Sequence, residues 1–338
     1  MTKPKLAIIS GDPSGIGPEL IARLLVSEGV RNAADILLVG DTHIWEMGGR
    51  QADITLPLSS ISRSQIPTFT GLCHLEMETI DPSDIKISEV TTLGGKSALR
   101  TLDCALDLAV AGYVDGILFG PFNKASLTAA GLNAEDEHRY IARYLGFEGY
   151  HSEINVLDEL MTTRVTSHIG LRDVAKNISA DGVRKAITLA YETLAKAGKT
   201  RPRVAVAALN PHAGDNGKFG REEIDILAPV VAEYQARQMQ VTGPWPSDTV
   251  FLKAKAGEVD AVVTMYHDQG QIAIKLMGFD RGVTVAGGLP IPVVTPAHGT
   301  AFDIAGQGVA NVGATQSAFE LLLRLAVTHR EIRHARTQ

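Results

Sequence analysis

The sequence predicts an α/β protein built from two lobes, and three observations support this prediction. Its 338 residues are more than one compact core of ordinary size holds. Short, continuously apolar runs alternate with stretches of helical periodicity, which is typical of parallel sheets covered by helices on both faces. Hydrophobic residues make up 45% of the chain and charged residues 21%, a balance that excludes disordered, coiled-coil and collagen-like chains.

The strands and helices can be placed from this alternation. The predicted strands are the apolar runs 5–10, 35–39, 115–119, 203–209 and 260–265. The clearest helical spacing lies at 96–111, 179–197, 221–238 and 317–328. Open α/β sheets bind ligands at the carboxyl ends of their strands, so we expect the functional site in the turns that follow the strands.

Charge and cysteine content exclude several classes of function. A net charge of −6 offers no basic surface to nucleic acid or to an anionic membrane. Cys73 and Cys104 are too few for a disulfide framework or a thiolate zinc site. No apolar run is long enough to span a membrane, and the first one is too short for a secretory signal. We therefore expect a cytoplasmic protein that binds neither nucleic acid nor membrane.

Three of the ten histidines follow apolar strand candidates and open polar turns. They are His168 in TSHIG, His212 in NPHAG and His267 in YHDQG. If the three imidazoles converge, they can bind a divalent cation such as Zn²⁺ and leave positions open for substrate oxygens. A capping or hydrogen-bonding role in the loop is the alternative for each histidine, and sequence spacing does not decide between the two.

Two further turns contain candidate residues. The segment GDPSGIGPE at 11–19 matches neither the dinucleotide fingerprint nor the P-loop. We interpret it as a tight strand-to-helix turn in which Gly15 and Gly17 provide backbone freedom and Pro18 begins the helix. Lys124 follows another strand, in GPFNK. It is either solvated or, in a cleft, a group that neutralises an anionic substrate or moves a proton.

Seven phrases, in one order over nearly the whole chain, resemble the 4-hydroxythreonine-4-phosphate dehydrogenase family. They are GDPSGIGPE, GPFNK, SHIGLRD, NPHAGDNGKFGREE, GPWPSDT, YHDQGQIAIK and HGTAFDIAGQG. NPHAG together with YHDQG is the most specific combination. The family belongs to the wider isocitrate and isopropylmalate dehydrogenase group, which shares a similar glycine-rich start and the segment His298–Gly306.

The resemblance implies the architecture. We expect a two-lobed α/β/α fold like that of isopropylmalate dehydrogenase, with the active site in a cleft between the lobes. The first lobe is expected at 1–130 and 300–338. The second lobe, at 131–299, is expected to carry the metal-binding histidines and the dimer interface. A homodimer is implied, in which the neighbouring subunit completes each active site.

The resemblance also implies cofactors and chemistry. The three histidines named above are the expected ligands of a divalent metal ion, Zn²⁺, Mg²⁺, Co²⁺ or Mn²⁺. NAD is expected along one loop, through His298, Gly299, Thr300, Ala301 and Asp303. The shared reaction oxidises a secondary alcohol β to a carboxylate by hydride transfer to NAD, and the resulting β-keto acid loses CO₂.

Four residues are candidates for the proton and charge chemistry of this reaction. Asp248 and Asp268 are the carboxylates expected near the metal. Lys124 and Lys275 are candidate proton carriers or partners of a substrate charge. Capping of a helix or loop is the alternative role for the aspartates, and solvation is the alternative for the lysines.

The sequence departs from the family pattern where a substrate phosphate is expected. Without a gap, Glu137 and His138 replace the histidine and threonine of the usual P-x-x-G-H-T-E phrase. A shift of one residue places His138 at the histidine position but does not restore the glycine or the glutamate beside it. Thr284 replaces an asparagine and Val293 replaces an arginine. An acidic side chain and a missing arginine disfavour a phosphate, leaving Lys275 as its partner. The alternative is that Arg139 or Arg281 supplies the charge from another direction.

These departures favour a non-phosphorylated hydroxy acid as the substrate of an NAD- and metal-dependent decarboxylating dehydrogenase. A carboxylated cis-dihydrodiol, the substrate of the terephthalate branch of the family, is the expected example. The alternative is a phosphorylated four-carbon acid: 4-phosphohydroxythreonine in pyridoxal phosphate synthesis, 4-phosphoerythronate or 4-phosphothreonate. A non-catalytic metabolite-binding protein is the alternative of another class, and the three retained histidines count against it.

Overall fold

The computed structural model describes residues 3–337, which divide into two compact units. Unit 1 comprises 3–149 and 283–337, and unit 2 comprises 150–282. The predicted α/β class is confirmed. The boundaries differ from the predicted lobes because 131–149 and 283–299 belong to unit 1. Tyr140 explains part of this, since its hydroxyl donates to Asp103 Oδ1 at 2.6 Å and ties its helix to unit 1.

The strands are β1 (Lys5–Ile9), β2 (Asp35–Gly40), β3 (Ser59–Ser60), β4 (Leu72–Glu76), β5 (Gly116–Phe119), β6 (Ser152–Leu157), β7 (Leu160–Arg164), β8 (Arg203–Ala207), β9 (Gln240–Trp245), β10 (Ala261–Thr264), β11 (Val283–Gly287) and β12 (Val293–Pro296). The α-helices are α1 (Gly17–Leu25), α2 (Glu28–Ala33), α3 (Thr42–Ala52), α4 (Thr92–Val110), α5 (Lys124–Ala129), α6 (Glu137–Tyr144), α7 (Leu171–Asn177), α8 (Ala180–Lys196), α9 (Ala228–Ala236), α10 (Ser247–Lys255), α11 (His267–Gly278) and α12 (Gly313–Thr337). All nine predicted segments coincide with observed strands or helices, although a π-helical turn at Glu223–Leu227 precedes α9 within the predicted helix 221–238.

The sheet of unit 1 has the strand order β3-β4-β2-β1-β5-β12-β11. All its neighbours are parallel except β11 and β12. Ala7 of β1 lies between Leu37 and Ile117 in register, and all three side chains are fully buried. Strands that are apolar on both faces fit a sheet covered by helices on both sides.

The sheet of unit 2 has the order β6-β7-β10-β8-β9, and only β6 and β7 are antiparallel. Thr264 of β10 pairs with Arg164 of β7, and Val263 pairs with Val206 of β8. The carboxyl ends of β7, β10 and β8 therefore lie side by side. This register sets the position of the turns that contain the predicted histidines. In the described part of the chain, no helix has the length and apolar character needed to cross a membrane.

Candidate active site

Two of the three predicted metal-binding histidines come together in unit 2. The ring centroids of His168 and His267 are 5.6 Å apart. The strand register explains this, because His168 is four residues beyond Arg164 and His267 is three residues beyond its partner Thr264. The turns remain joined past the strands, since Thr166 donates from its N–H to Met265 O at 3.1 Å. Adjacent parallel strands thus deliver both imidazoles to one place.

Asp268 orients the His267 ring. The Nδ1 atom of His267 lies 2.6 Å from Asp268 Oδ1, and a carboxylate can only accept this bond, so Nδ1 carries the proton. The Nε2 atom of His267 is then left with its lone pair for a cation or a proton. A carboxylate behind an imidazole in this way is the usual arrangement around metal-binding histidines. Asp268, predicted to lie near the metal, is placed by the structure as a ring-orienting residue.

His212 lies in an unusual turn. The residues from His212 to Asn216 all have positive φ angles, between 42° and 82°, although only Gly214 lacks a side chain. Each such residue other than glycine costs roughly 1–2 kcal/mol, so the surrounding structure must hold the turn in place. Glu223 contributes, because its Oε1 accepts from the N–H groups of Leu209 and Asn210 at 2.8 and 2.7 Å. His168 also has a positive φ, 51°.

The surroundings of the three histidines differ. The His212 ring packs beside Phe219, with centroids 6.3 Å apart. Across residues 3–337, no group of three or more histidine, cysteine, aspartate or glutamate side chains is arranged to hold a metal ion. His168 and His267 fit a shared divalent cation as borderline nitrogen ligands. The single chain pairs two of the three predicted ligands, and the participation of His212 stays a prediction.

Gln269 joins the turns that follow three strands, and the sequence reasoning missed it. Its Oε1 accepts from the Met265 N–H at 2.6 Å, after β10. Its Nε2 donates to Ala208 O after β8 and to Ser247 Oγ at the start of α10, both at 2.8 Å. The amide of Gln269 therefore fixes the segments that carry His267, His212 and Asp248. Its place inside the YHDQG phrase is the only signal in the sequence that points to it.

The other predicted residues of unit 2 are exposed at helix positions. Asp248 lies in the first turn of α10, and Lys275 lies near the end of α11. Neither is buried.

Arg164, which was not predicted, is buried at the end of β7. It donates to Ser167 Oγ at 2.9 Å and to Asn155 Oδ1 at 3.2 Å, and so holds the turn directly before His168.

In unit 1 the predicted cofactor loop contacts two turns that follow β1 and β5. The Ile16 N–H donates to Thr300 O at 3.1 Å. Asn123, directly before Lys124, donates from Nδ2 to Thr300 Oγ1 at 3.3 Å and caps α5 by accepting from the Ser126 N–H. Gly15 lies so close that an added Cβ would be 2.8 Å from Thr300 Cβ. Lys124 itself is exposed at the start of α5.

His298 is held as a neutral imidazole in this loop. Burial lowers the pKa of His298 below its ordinary value, and the bond from Nδ1 to Gly299 O, 3.0 Å long, offsets this only in part. With the proton on Nδ1, Nε2 carries a lone pair, and it has no hydrogen-bond partner among the described residues. Ala301 has a positive φ of 43°, and Gly299 and Asp303 are exposed. The loop thus contains a buried acceptor nitrogen next to a strained backbone position at Ala301.

The residues predicted to contact substrate are spread over unit 1. Glu137 begins α6, whose cap is Asp136, and His138 is buried in its first turn. Thr284 pairs with Thr295 between β11 and β12. Val293 is fully buried in the core of unit 1, where its side chain packs and does not reach a surface.

The two arginines considered as substitutes for the missing one are already paired. Arg139 forms an ion pair with Glu135. Arg281 donates to both oxygens of Asp158, at 3.0 and 3.2 Å.

Comparison with known sequences identifies relatives over nearly the whole chain. A sequence profile of the family described as pyridoxal phosphate biosynthetic protein PdxA matches residues 32–322. A Pseudomonas aeruginosa protein named "Putative 4-hydroxythreonine-4-phosphate dehydrogenase 2" is 51% identical over 327 residues, which cover 95% of this chain and 97% of that protein. D-threonate 4-phosphate dehydrogenase of Salmonella typhimurium is 37% identical over 329 residues, or 96% of this chain and 100% of that protein.

Comparison with solved structures also identifies relatives over nearly the whole chain. The crystal structure of 4-hydroxythreonine-4-phosphate dehydrogenase from Klebsiella pneumoniae is similar with a TM-score of 0.83 at 35% identity, covering 96% of this chain and 98% of that one. The terephthalate 1,2-cis-dihydrodiol dehydrogenase of Burkholderia xenovorans LB400 is more distant, with a TM-score of 0.67 at 27% identity over 95% of this chain and 98% of that one.

Proposed function

The chain belongs to the family of pyridoxal phosphate biosynthetic protein PdxA, and from that premise we propose that it oxidises a phosphorylated four-carbon hydroxy acid with NAD. The observation that carries the proposal is the level of identity, 51% and 37%, to full-length relatives named as dehydrogenases of such acids. The substrate class is therefore 4-phosphohydroxythreonine or a 4-phosphorylated threonate. We further propose that the β-keto acid formed in the oxidation loses CO₂.

The prediction of a non-phosphorylated substrate is wrong. The relatives named for phosphorylated acids are more similar to this chain than the dihydrodiol dehydrogenase, which is 27% identical. The physical reason lies partly at Val293, which was taken as a lost phosphate ligand. Its side chain is enclosed in the core of unit 1, so its identity depends on packing and carries no information on the ligand.

We assign the nicotinamide cofactor to the loop of His298, Gly299, Thr300, Ala301 and Asp303. The contacts of Thr300 with Ile16 and Asn123 support this, because they hold the loop beside the Lys124 turn. The neutral His298 suits a site for NAD⁺, since an imidazolium would repel the positively charged nicotinamide ring. Lys124 is exposed at the start of α5, where it can pair with an anionic group or carry a proton.

A divalent cation would be held by His168 and His267, and we keep His212 as the proposed third ligand. Such an ion supplies Lewis-acid activation of the substrate alcohol when it is bound. Two residues of this chain would position the ligand: Asp268 fixes the His267 ring by its bond to Nδ1, and Gln269 fixes the turn that carries both residues. Asp248 and Lys275 remain the proposed proton and charge partners on α10 and α11.

A homodimer is part of the proposal. Large apolar side chains are exposed around the histidine turns of unit 2: Ile169, Leu171, Phe219, Ile224, Leu252, Ile272 and Leu276. Leu276 is 84% exposed, and Ile272, one helical turn before it on α11, is 61% exposed. Exposed apolar residues at this density are typical of an interface. A second copy of the chain would cover them and complete the site that one chain leaves with two paired imidazoles.

A screen of NAD reduction tests the proposed function. The purified protein with added Mg²⁺, Mn²⁺, Co²⁺ or Zn²⁺ is mixed with 4-phosphohydroxythreonine, 4-phosphothreonate or 4-phosphoerythronate, while NADH and CO₂ are followed. We expect NADH formation with at least one phosphorylated acid and a much lower rate with 4-hydroxythreonine, the matched control without phosphate. Turnover of a carboxylated cis-dihydrodiol alone would overturn the substrate class. Sedimentation velocity in the same buffer tests the dimer.

A further inference from the structure

The turn at 11–19 packs against the loop 298–310 in unit 1. Gly15 has no room for a side chain against Thr300, and the Ile16 N–H donates to Thr300 O. Next to them, the Oε1 atom of Glu19 accepts from the Ala310 N–H at 2.9 Å. The glycine-rich turn is therefore packed against the loop.

Glu19 and Arg23 form a clamp on the far part of the loop. Arg23 Nε donates to Glu19 Oε1 at 2.8 Å, and Arg23 Nη2 donates to Gly308 O at 2.6 Å. The Glu19 side chain is completely buried, whereas that of Arg23 is 27% exposed. A buried carboxylate is costly unless charged or N–H partners satisfy it, and the two bonds to Oε1 come from Arg23 and from the loop itself.

The loop depends on such contacts for its position. Residues 301–310 form neither a regular helix nor a strand. Gly306 and Gly308 have positive φ angles of 78° and 70°, and an added Cβ on Gly308 would lie 2.5 Å from Gln51 O. The bonds within the loop are short-range turns, such as the Ile304 N–H to Ala301 O at 3.0 Å. Its polar contacts with helix α1 come from Glu19 and Arg23, and Leu20 of α1 adds apolar contact with Ala305 and Ala310.

We propose that Glu19 is a positioning residue for the cofactor, acting through the loop 298–310 and Arg23. Because Glu19 anchors the end of the loop at Ala310, it fixes the backbone between there and Thr300 before NAD binds. Loss of the anchor lowers NAD affinity, since binding must then order the loop. This inference rests on the proposed function, which places NAD on residues 298–303.

The test compares Glu19→Gln with Asp115→Asn, a matched control in the same unit. Asp115 is also buried, and it also accepts from one backbone N–H and one arginine: Lys5 N at 2.9 Å and Arg333 Nη2 at 3.1 Å. Neither partner belongs to the loop. Arg23→Ala is the second variant, because its side chain is partly exposed and its removal threatens folding less than a change at Glu19.

Three experiments are performed on the full-length variants: calorimetry gives the NAD⁺ affinity, steady-state kinetics give KM and kcat, and hydrogen exchange is followed in peptides spanning 298–310. For Glu19→Gln and Arg23→Ala we expect a roughly tenfold weaker affinity and a matching rise in KM for NAD. In Glu19→Gln the bonds from Arg23 and Ala310 lose their charge assistance, and in Arg23→Ala the bonds to Glu19 and Gly308 are removed. The KM for the acid should stay unchanged, and exchange in the loop should accelerate. Asp115→Asn should change none of these.

Two results would count against the proposal and differ from each other. If both variants bind NAD⁺ as the wild type does while the loop exchanges faster, loop position does not set affinity and the role of Glu19 is structural only. If Asp115→Asn weakens NAD⁺ binding equally, the effect is a general loss of stability, which also overturns the inference. Failure of the wild type itself to bind NAD⁺ would instead refute the proposed function.

Discussion

The imidazole rings of His168 and His267 lie 5.6 Å apart between centroids, with their planes tilted by 42°, beyond the ends of two adjacent parallel strands. The pair sits where Thr264 of β10 and Arg164 of β7 are in register, so a few residues of turn beyond each strand suffice to bring the rings together. His212 follows the next strand, β8, in a left-handed turn. The three histidines therefore follow three neighbouring strands of one sheet.

Removal of any of the three histidines is expected to abolish metal-dependent NADH formation. We expect His168→Ala and His267→Ala to lower activity by at least roughly a hundredfold and to lose bound metal, because a ligand is removed outright. His212→Ala should behave likewise if it is the third ligand. Metal content and NADH formation are measured before and after treatment with a chelator, which should abolish activity until a divalent ion is restored.

His329→Ala on α12 is the matched control for these substitutions, and we expect it to retain metal and activity. Circular dichroism checks that each variant is folded. If His212→Ala keeps full activity and metal while the other two lose both, the three-histidine site is wrong and the metal is held by the pair with other ligands.

Gln269→Glu is expected to impair catalysis without contact with substrate. The substitution keeps the shape and the Oε1 acceptor but replaces the Nε2 donor by an acceptor, so the contact with Ala208 O becomes repulsive. The Ser247 hydroxyl, which donates to Ala208 O, must give up that bond to donate to the new carboxylate. We expect kcat to fall by roughly ten- to a hundredfold. Gln235→Glu, which removes a single donor bond to Val241 O elsewhere in unit 2, is the control, and equal effects of both variants would argue against the assignment.

Asp12→Asn is expected to stabilise the protein at neutral pH relative to the wild type. Burial raises the pKa of Asp12 above its ordinary value, although the Ser14 N–H donates to its Oδ1 at 2.9 Å. An acid whose pKa is higher in the folded state than in the unfolded state contributes stability at a pH below its unfolded-state pKa. This stability is lost as the pH rises through the folded-state pKa. We therefore expect the stability of the variant relative to the wild type to increase as the pH rises from the ordinary aspartate pKa of 3.8 towards neutral.

Denaturant unfolding at several pH values measures this difference. Asp41→Asn is the control, because Asp41 is equally buried but accepts from the Thr79 and Ile80 N–H groups. The Asp41→Asn variant should be less stable than the wild type at pH 7, because the amide offers one acceptor oxygen fewer to these N–H groups. A constant difference between Asp12→Asn and the wild type over the whole range would refute the predicted titration.

The parts of the fold and site that follow from local pattern could be predicted from the sequence. The strands are apolar throughout because both faces of the sheets are covered, and parallel neighbours place His168 beside His267. Gln269 and Glu223 could not be predicted, because bonds from a side chain to distant backbone leave no periodic signal. The boundary near 149 depends on contacts such as Tyr140 with Asp103, which are visible only once the helices pack.

The direction of a side chain is the other information that a sequence phrase lacks. Val293 occupies the position of an arginine in the family phrase, but it points into the core of unit 1, and the substrate prediction that relied on it failed. The cofactor loop is the opposite case. Its phrase predicts a cofactor loop at residues 298–303, whereas the contacts of Glu19 and Arg23 with residues 308–310 are visible only in the structure.

The charge state of His298 provides the last prediction, on pH dependence. Burial lowers its pKa below the ordinary value of about 6.5. A base whose pKa is lower in the folded state than in the unfolded state contributes stability at a pH above its unfolded-state pKa. This stability is lost as the pH falls through the folded-state pKa. We expect NAD⁺ affinity to be constant from pH 8 to about 6.5 and to fall several-fold in more acidic buffer, because the imidazolium repels the nicotinamide cation.

His298→Asn should remove this acidic decline, since asparagine does not titrate, and should lower NAD⁺ affinity at neutral pH where the Nε2 acceptor is lost. His43→Asn is the control in the same unit: its side chain is only 27% exposed, so it is comparably shielded, but it lies outside the loop. Calorimetric titration with NAD⁺ at pH 5.5, 6.5 and 7.5 measures the affinity of each variant and shows whether the affinity still falls in acidic buffer. An acidic decline that persists in His298→Asn would assign the titration to another group and leave His298 without a role in cofactor binding.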